Sequence, residues 1–395
     1  MPLPSFLPLP NLELQEEAVV VEGFRLLPLG GRSWFEFHPK ALVGGGWDSN
    51  PLAVGTGADA DAQARLAVGF EARMLGENGS QADVGGMLRR QRYADTPGRS
   101  FTGGEAGARV QLRGRRLQST AEARWERTSE PVLQAPEQAE RDSLLVGLGA
   151  SHDGGASVRS ARLGWSSLSY REDLPYADRA SLGHRRWTAS GSWLFLGGAD
   201  SLLGADGAVD SLERPATAAT TGYRSATLRG RWRHAYGQRT TLDVRLGAVL
   251  RVHDDVTAGD PGNDDDRLLA PVASLHVAGA WEERSWATLT ASTSLVDGMA
   301  GNASRREALE GTLRLRLLDR LELVGTGWVA RRTDSAAPPG HRREIADDLY
   351  LRSGLEYRLR DGLGLRLWVS WQRHLSEAYT SYDRTLSVLE LALAL

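Results

Sequence analysis

The stretch Gln238-Arg-Thr-Thr-Leu-Asp-Val-Arg-Leu-Gly-Ala-Val-Leu-Arg-Val-His253 alternates with a period of two. Leu242, Val244, Leu246, Ala248, Leu250 and Val252 fall on one side. Asp243, Arg245, Gly247, Val249, Arg251 and His253 fall on the other. In an extended chain successive side chains point to opposite faces, so this is a strand with one apolar and one charged face.

The same pattern recurs on both sides of it. Residues 62–74 place Ala64, Leu66, Val68, Phe70, Ala72 and Met74 opposite Arg65, Ala67, Gly69, Glu71 and Arg73. Leu363, Leu365, Leu367, Val369 and Trp371 oppose Gly364, Arg366, Trp368, Ser370 and Gln372. Leu389, Leu391, Leu393 and Leu395 close the chain in the same way. Helical periodicity is hard to find, and 45 Gly among 395 residues argue against long helices.

Extended over the whole chain, the template predicts eighteen strands, near 34–46, 62–74, 80–93, 104–113, 116–128, 142–153, 157–171, 184–197, 200–213, 223–235, 238–252, 267–281, 284–296, 305–317, 319–332, 347–359, 362–374 and 383–395. They are longer than the roughly five or six residues usual in soluble sheets and meet the ~9 to 11 that a tilted membrane strand needs. Short turns, such as Gly114–Arg115 and Gly154–Ala156, alternate with long polar connections, such as 129–141 and 172–183. That rhythm is the layout of an outer-membrane barrel, with tight periplasmic turns and longer external loops. The expected fold is all-β: a single closed antiparallel up-and-down transmembrane β-barrel of about 18 strands over 34–395, with 1–33 as an N-terminal periplasmic extension or plug.

Composition agrees. The net charge is −3, so the basic footprint of a nucleic-acid binder is absent. There is no Cys, which removes disulfides and Cys-ligated metal. Mean hydropathy is −0.35 and no apolar run reaches the length of a membrane helix, yet alternating strands average out in such measures. Met1–Pro10, MPLPSFLPLP, has no positive n-region and does not read as a secretory signal. Three readings stay open: no export, a true start upstream, or prior processing.

The charged row decides orientation. An Arg facing lipid at the bilayer midplane costs roughly 2 to 4 kcal/mol, so these residues are expected to line a wet lumen. The lumen-lining candidates are Arg65, Arg73, Arg109, Arg113, Arg229, Arg231, Arg233, Arg245, Arg251, Arg314, Arg316, Arg352, Arg358 and Arg366, with Glu71, Glu122, Glu310, Glu322 and Glu356. Two uses compete: cross-strand ion pairs that stabilise the wall, and bidentate contacts to an anionic solute. Trp and Tyr near strand ends, among them Trp34, Trp125, Trp187, Trp281, Trp286, Trp371, Tyr93, Tyr170, Tyr223 and Tyr357, read as a partial interfacial girdle. Inner-face glycines such as Gly69, Gly147 and Gly247 leave room and favour an open interior.

The first strand ends Gly44-Gly-Gly-Trp47-Asp48-Ser49-Asn50-Pro51. It resembles the opening of the β-barrel porin-2 family, whose first strand ends Tyr-Asp-Asp-Asn or Tyr-Asp-Ser-Asn; Trp47 stands in place of Tyr. Pro39 and the glycine run are also similar, and beyond them the likeness is one of strand rhythm and length. The resemblance implies a bacterial outer-membrane barrel serving exopolysaccharide export, with polysaccharide and periplasmic export proteins as partners. Physically, Asp48-Ser49-Asn50-Pro51 reads as a strand-ending turn, with an external loop site as the competing reading.

Catalytic and metal signatures are missing: no H-E-x-x-H, no G-x-S-x-G and no P-loop. The loop Asp254–Asp266 offers Asp260, Asn263, Asp264, Asp265 and Asp266 as oxygen donors, without EF-hand spacing, and reads as a solvated acidic loop. No enzyme, cofactor or metal is expected. The expected function is an outer-membrane channel passing a hydrophilic solute, with outer-membrane lipid and lipopolysaccharide as surroundings. The alternatives are a non-conducting structural or surface-interaction barrel and a soluble all-β binding protein.

Overall fold

Alternation of Leu and Arg along every strand leaves each strand two incompatible faces, and closing the sheet on itself separates them. In a computed structural model the described residues are 25–29 and 33–394, apart from 51–58, 77, 97–99, 129–139, 171–182, 215–221, 238, 255–266, 283–284, 298–302, 336–344, 361 and 378–380. Their elements are β1 (Arg25–Leu29), β2 (Ser33–Asp48), β3 (Asp61–Leu75), β4 (Gln81–Tyr93), β5 (Phe101–Arg113), β6 (Leu117–Thr128), β7 (Arg141–Asp153), β8 (Ser157–Tyr170), β9 (His184–Gly198) and β10 (Ser201–Glu213). They continue with β11 (Tyr223–Tyr236), β12 (Thr240–His253), β13 (Arg267–Glu282), β14 (Ser285–Asp297), β15 (Ala303–Leu318), β16 (Leu321–Asp334), β17 (Ile345–Arg360), β18 (Leu363–Ser376) and β19 (Tyr382–Ala394).

Each of β2 to β18 pairs antiparallel with the next in sequence, and β19 pairs with β2, so eighteen strands close into a barrel. The eighteen expected strands are all present, with boundaries shifted by three residues at most. Closure leaves no open sheet edge, the condition lipid imposes on a sheet. The one element not anticipated is β1. It forms a hairpin with β2 through Leu29↔Ser33, Pro28↔Trp34 and Arg25↔Glu36. β19 covers the same edge of β2 from Lys40 to Asp48, so β1 takes over where the last strand runs out. Residues 1–24 lie outside the described residues.

The faces separate as the alternation demands. On β12, Leu246 is 63% exposed while Asp243 and Arg251, on the other face, are 2% and 3% exposed. Charged-face side chains reach over a whole strand: Arg314 on β15 donates to Glu356 on β17 at 2.7 Å, and Arg251 on β12 donates to the Val296 carbonyl on β14 at 3.0 Å. Only a concave surface brings alternate strands that close, so this face is the lumen. The exposed Leu, Val and Phe rows form the outside.

The girdle reading is corrected by parity. Trp47, Trp187, Trp281 and Tyr357 are exposed outward. Tyr93, Tyr223 and Trp286 share the face of their strands' inward residues, as does Trp328, which stacks on Tyr350. A role for the glycines also changes. A Cβ on Gly247 would overlap the Leu228 carbonyl oxygen of β11, and one on Gly204 would overlap the Trp193 carbonyl oxygen of β9. At these two positions glycine serves close approach of neighbouring strands rather than lumen width.

Leu246→Arg, which turns a guanidinium toward mid-bilayer, is expected to destabilise the folded barrel by about 2 to 4 kcal/mol in denaturant titrations from lipid vesicles.

Candidate functional site: the lumen

β-strand alternation delivers the arginines and glutamates named above as lumen-lining candidates to the inward face, and register then decides which of them meet. On β10–β12, Arg229 Nε donates to Asp206 at 2.6 Å, and Arg231 Nε lies 3.1 Å from both Asp243 oxygens. Arg245 Nε donates to Asp243 at 3.1 Å and lies 3.9 Å from Asp206. The result is a lattice in which each carboxylate faces two guanidiniums. A second lattice joins β15 to β18: Arg314 donates to Glu322 and Glu356, both at 2.7 Å, and Arg366 lies 3.3 Å from Glu356. A third joins β2 to β4, where Glu71 accepts from Lys40 at 2.6 Å and from Arg73 at 3.4 Å, while Arg73 also holds Asp83 at 2.9 Å.

The remaining candidates divide by partner. Arg162, which the sequence reading passed over, pairs with Glu122. Arg306 donates to Glu310 at 2.8 Å, and Arg316 pairs with Asp319 in the turn after β15. Arg65 lies 3.9 Å from Glu390. Arg65 and Arg352 both lie over one ring, 5.2 and 4.1 Å from the centre of Trp368. Arg251 lies 3.8 Å from the ring centre of Tyr223. Arg233 lies on the inward face of β11 beside Asp243. Arg109, Arg113 and Arg358 have no carboxylate within ion-pair distance among the described residues. Ion pairing therefore occupies most of the row, and a surplus of guanidinium gathers toward the short-turn end.

The Asp48 motif is a clasp. Asp48, fully buried, accepts from Arg384 of β19 at 2.6 and 3.0 Å, from the Tyr93 hydroxyl of β4 at 2.9 Å and from the Asn50 amide at 3.1 Å. The Asn50 side chain donates to the Asp383 carbonyl at 3.0 Å. Ser49 exchanges two bonds with Thr385, at 2.9 and 2.7 Å. These residues bind the first barrel strand to the last at the loop end. Pro51 lies outside the described residues, as do 255–266 of the acidic loop. Among the described residues no cluster of three or more His, Asp or Glu is placed to hold a metal ion.

The sequence reading also missed a buried group beside the clasp. Arg332 donates to Asp348 at 3.1 Å, and His374 Nδ1 lies 2.6 Å from the same carboxylate. Inward parity on β16, β17 and β18 was the available signal.

Against these packed arcs stands an open one. A cavity of about 330 Å3 is bounded by Gln118, Thr120, Ser151, Ser160, Ser190 and Ser192 of β6–β9 on one side. Asp206, Arg229, Arg231 and Arg245 bound it on the other, with Arg162 between. The Arg162 side chain is 53% exposed, against 0% for Asp48 and Asp348. On this side, beside β6–β12, the lumen keeps free space around an exposed guanidinium.

A wet charged interior, an apolar exterior and both ends of the eighteen-strand run on the short-turn side fit one setting. The protein is an integral β-barrel of the bacterial outer membrane. Its Leu and Val rows contact membrane lipid.

No protein-family model matches the chain, and no curated protein matches it. Among solved structures, OccK2 (OpdF) of Pseudomonas aeruginosa, in complex with glucuronate, is 13% identical with a TM-score of 0.47, covering 91% of this chain and 98% of that one. The siderophore receptor PirA of Pseudomonas aeruginosa is 11% identical with a TM-score of 0.45, covering 91% and 80%. OccAB4 of Acinetobacter baumannii is 6% identical with a TM-score of 0.45, covering 91% and 98%. The fold of this chain rests on its own strand pairing.

Removing the clasp tests its role. Asp48→Ala leaves Arg384 and Tyr93 without their acceptor, and is expected to destabilise the barrel by about 3 to 5 kcal/mol, the range for breaking one side of a buried pair. Asp347→Ala, which breaks an exposed outward pair with Arg331, is expected to leave the denaturant midpoint unchanged.

Proposed function

We propose that the protein is a passive channel for a hydrophilic solute, carried along the wet lane between the hydroxyl wall of β6–β9 and the charged lattice of β10–β12. The observation that supports it is the cavity bounded by both walls. Serine and threonine hydroxyls replace hydration without binding tightly, which conduction requires. Guanidiniums already paired with Asp206 and Asp243 present a softened positive surface rather than a trap. Arg109 and Arg113, without an ion pair among the described residues, bias the lumen toward anions. Exopolysaccharide as the cargo rests on the Trp47–Pro51 resemblance alone; the lane itself selects for charge and hydration.

A second reading, a plugged barrel whose loops bind a surface partner, draws on the complete burial of Asp48, Asp334, Asp348 and His374 at the loop end. Planar-bilayer recording separates the two. The channel reading expects discrete conductance steps and, in a salt gradient, a reversal potential displaced toward that of the anion. R109E/R113E is expected to shift that potential toward the cation. Folded protein without conductance would leave the plugged barrel.

A further inference from the structure

Among the described strand residues, outward arginines cluster at the loop end of the barrel, Arg159 apart. Arg331 pairs with Asp347, Arg373 with Asp383 and Arg305 with Glu307, each pair on the outer face. Arg185 and Arg224 flank Glu213 on β9–β11. The exception, Arg159 near the short-turn end of β8, lies 4.7 Å from the ring centre of Trp193. Arg331, Arg373, Arg305 and Arg159 are thus each met by a carboxylate or a ring of the chain itself.

β4 differs from these four. Arg90 and Arg92 are exposed on its outer face near the loop end, and no carboxylate lies within ion-pair distance of either among the described residues. Their outward cross-strand neighbours are Leu66 and Ala64 on β3 and Thr102 on β5. Arg127 of β6, two strands away, joins the same patch; it is level with Leu88 through Gly104. Its own partner, Asp142, lies at 2.8 Å, and Glu140 also stands close enough to act on it. Directly toward mid-membrane lie Leu88, Val84 and Val68, exposed by 63%, 48% and 50%. A cationic head thus sits over an apolar bed, at the height where an outward Arg passes from hydrocarbon to the interface.

We propose that Arg90 and Arg92, assisted by Arg127, bind the phosphate of an outer-leaflet glycolipid, lipopolysaccharide, whose acyl chains lie on the Leu88–Val84 surface. Guanidinium matches phosphate bidentately, and the low-dielectric interface strengthens the contact. An anionic, acylated ligand supplies both what the arginines lack and what the apolar bed requires. The site lies on the outer face and is independent of the channel reading.

The test uses the full chain, purified and refolded in non-ionic detergent, with diphosphoryl lipid A and its dephosphorylated form as probes. Affinity is read by native mass spectrometry. The wild type is expected to prefer the phosphorylated form, and R90S/R92S to lose about tenfold or more of its affinity for that form alone. R159S, at the opposite end of the outer face, is expected to keep the preference. Heat-dependent gel mobility confirms that each variant is folded. Equal binding of the two lipids by the wild type, or an undiminished preference in R90S/R92S, would overturn the proposal.

Discussion

A guanidinium has no place in hydrocarbon, and neither has an unpaired backbone amide. These two exclusions shape the molecule. The second forces the sheet to close, because an open edge would leave rows of amides facing lipid. The first forces the charged row inward once closure has given the sheet an inside. Everything else, from the Asp243 lattice to the Asp48 clasp, is a way of living with a barrel full of arginine.

Pairing solves the charge problem unevenly. Where carboxylates alternate with guanidiniums across adjacent strands, as at Arg229, Asp206, Arg245, Asp243 and Arg231, the wall becomes a neutralised polar surface. At the loop end, Asp48 and Asp348, themselves fully buried, hold partners that are buried or nearly so. Serine, threonine and glycine predominate on the inward face of β7–β9, where Arg162 stands exposed beside the cavity. The division between a packed arc and a hydrated one is what a channel along one wall of the barrel depends on. On the outside, Arg90 and Arg92 have no ion-pairing carboxylate among the described residues.

Strand number, order and limits were legible because a period of two is a local signal, and a slip of one residue would put Arg into lipid. β1 was not legible: five residues containing Pro28 carry no alternation of their own, and they form a strand only because β2 extends past the end of β19. Inward placement of the charged row followed from parity. Its pairing did not. Arg314 reaches Glu356 over an intervening strand, and Asp48 meets Arg384 across 336 positions of sequence. Such contacts depend on register accumulated around the whole barrel. The Trp47–Asn50 stretch was read as a turn or a loop site, and its work at the seam could be seen only once β2 and β19 were neighbours. Aromatic residues misled where strand-end position was used without parity, as at Tyr93 and Tyr223.

The absence of Cys from the chain allows single labels to be placed at will. Spin labels at Leu228→Cys and Leu246→Cys, compared with Ser190→Cys and Ser192→Cys, measure the two faces directly in lipid vesicles. The first pair is predicted to collide freely with oxygen and little with a water-soluble nickel chelate; the second pair is predicted to do the reverse. Chelate access at the leucine positions, with oxygen favoured at the serines, would contradict the assignment of the faces.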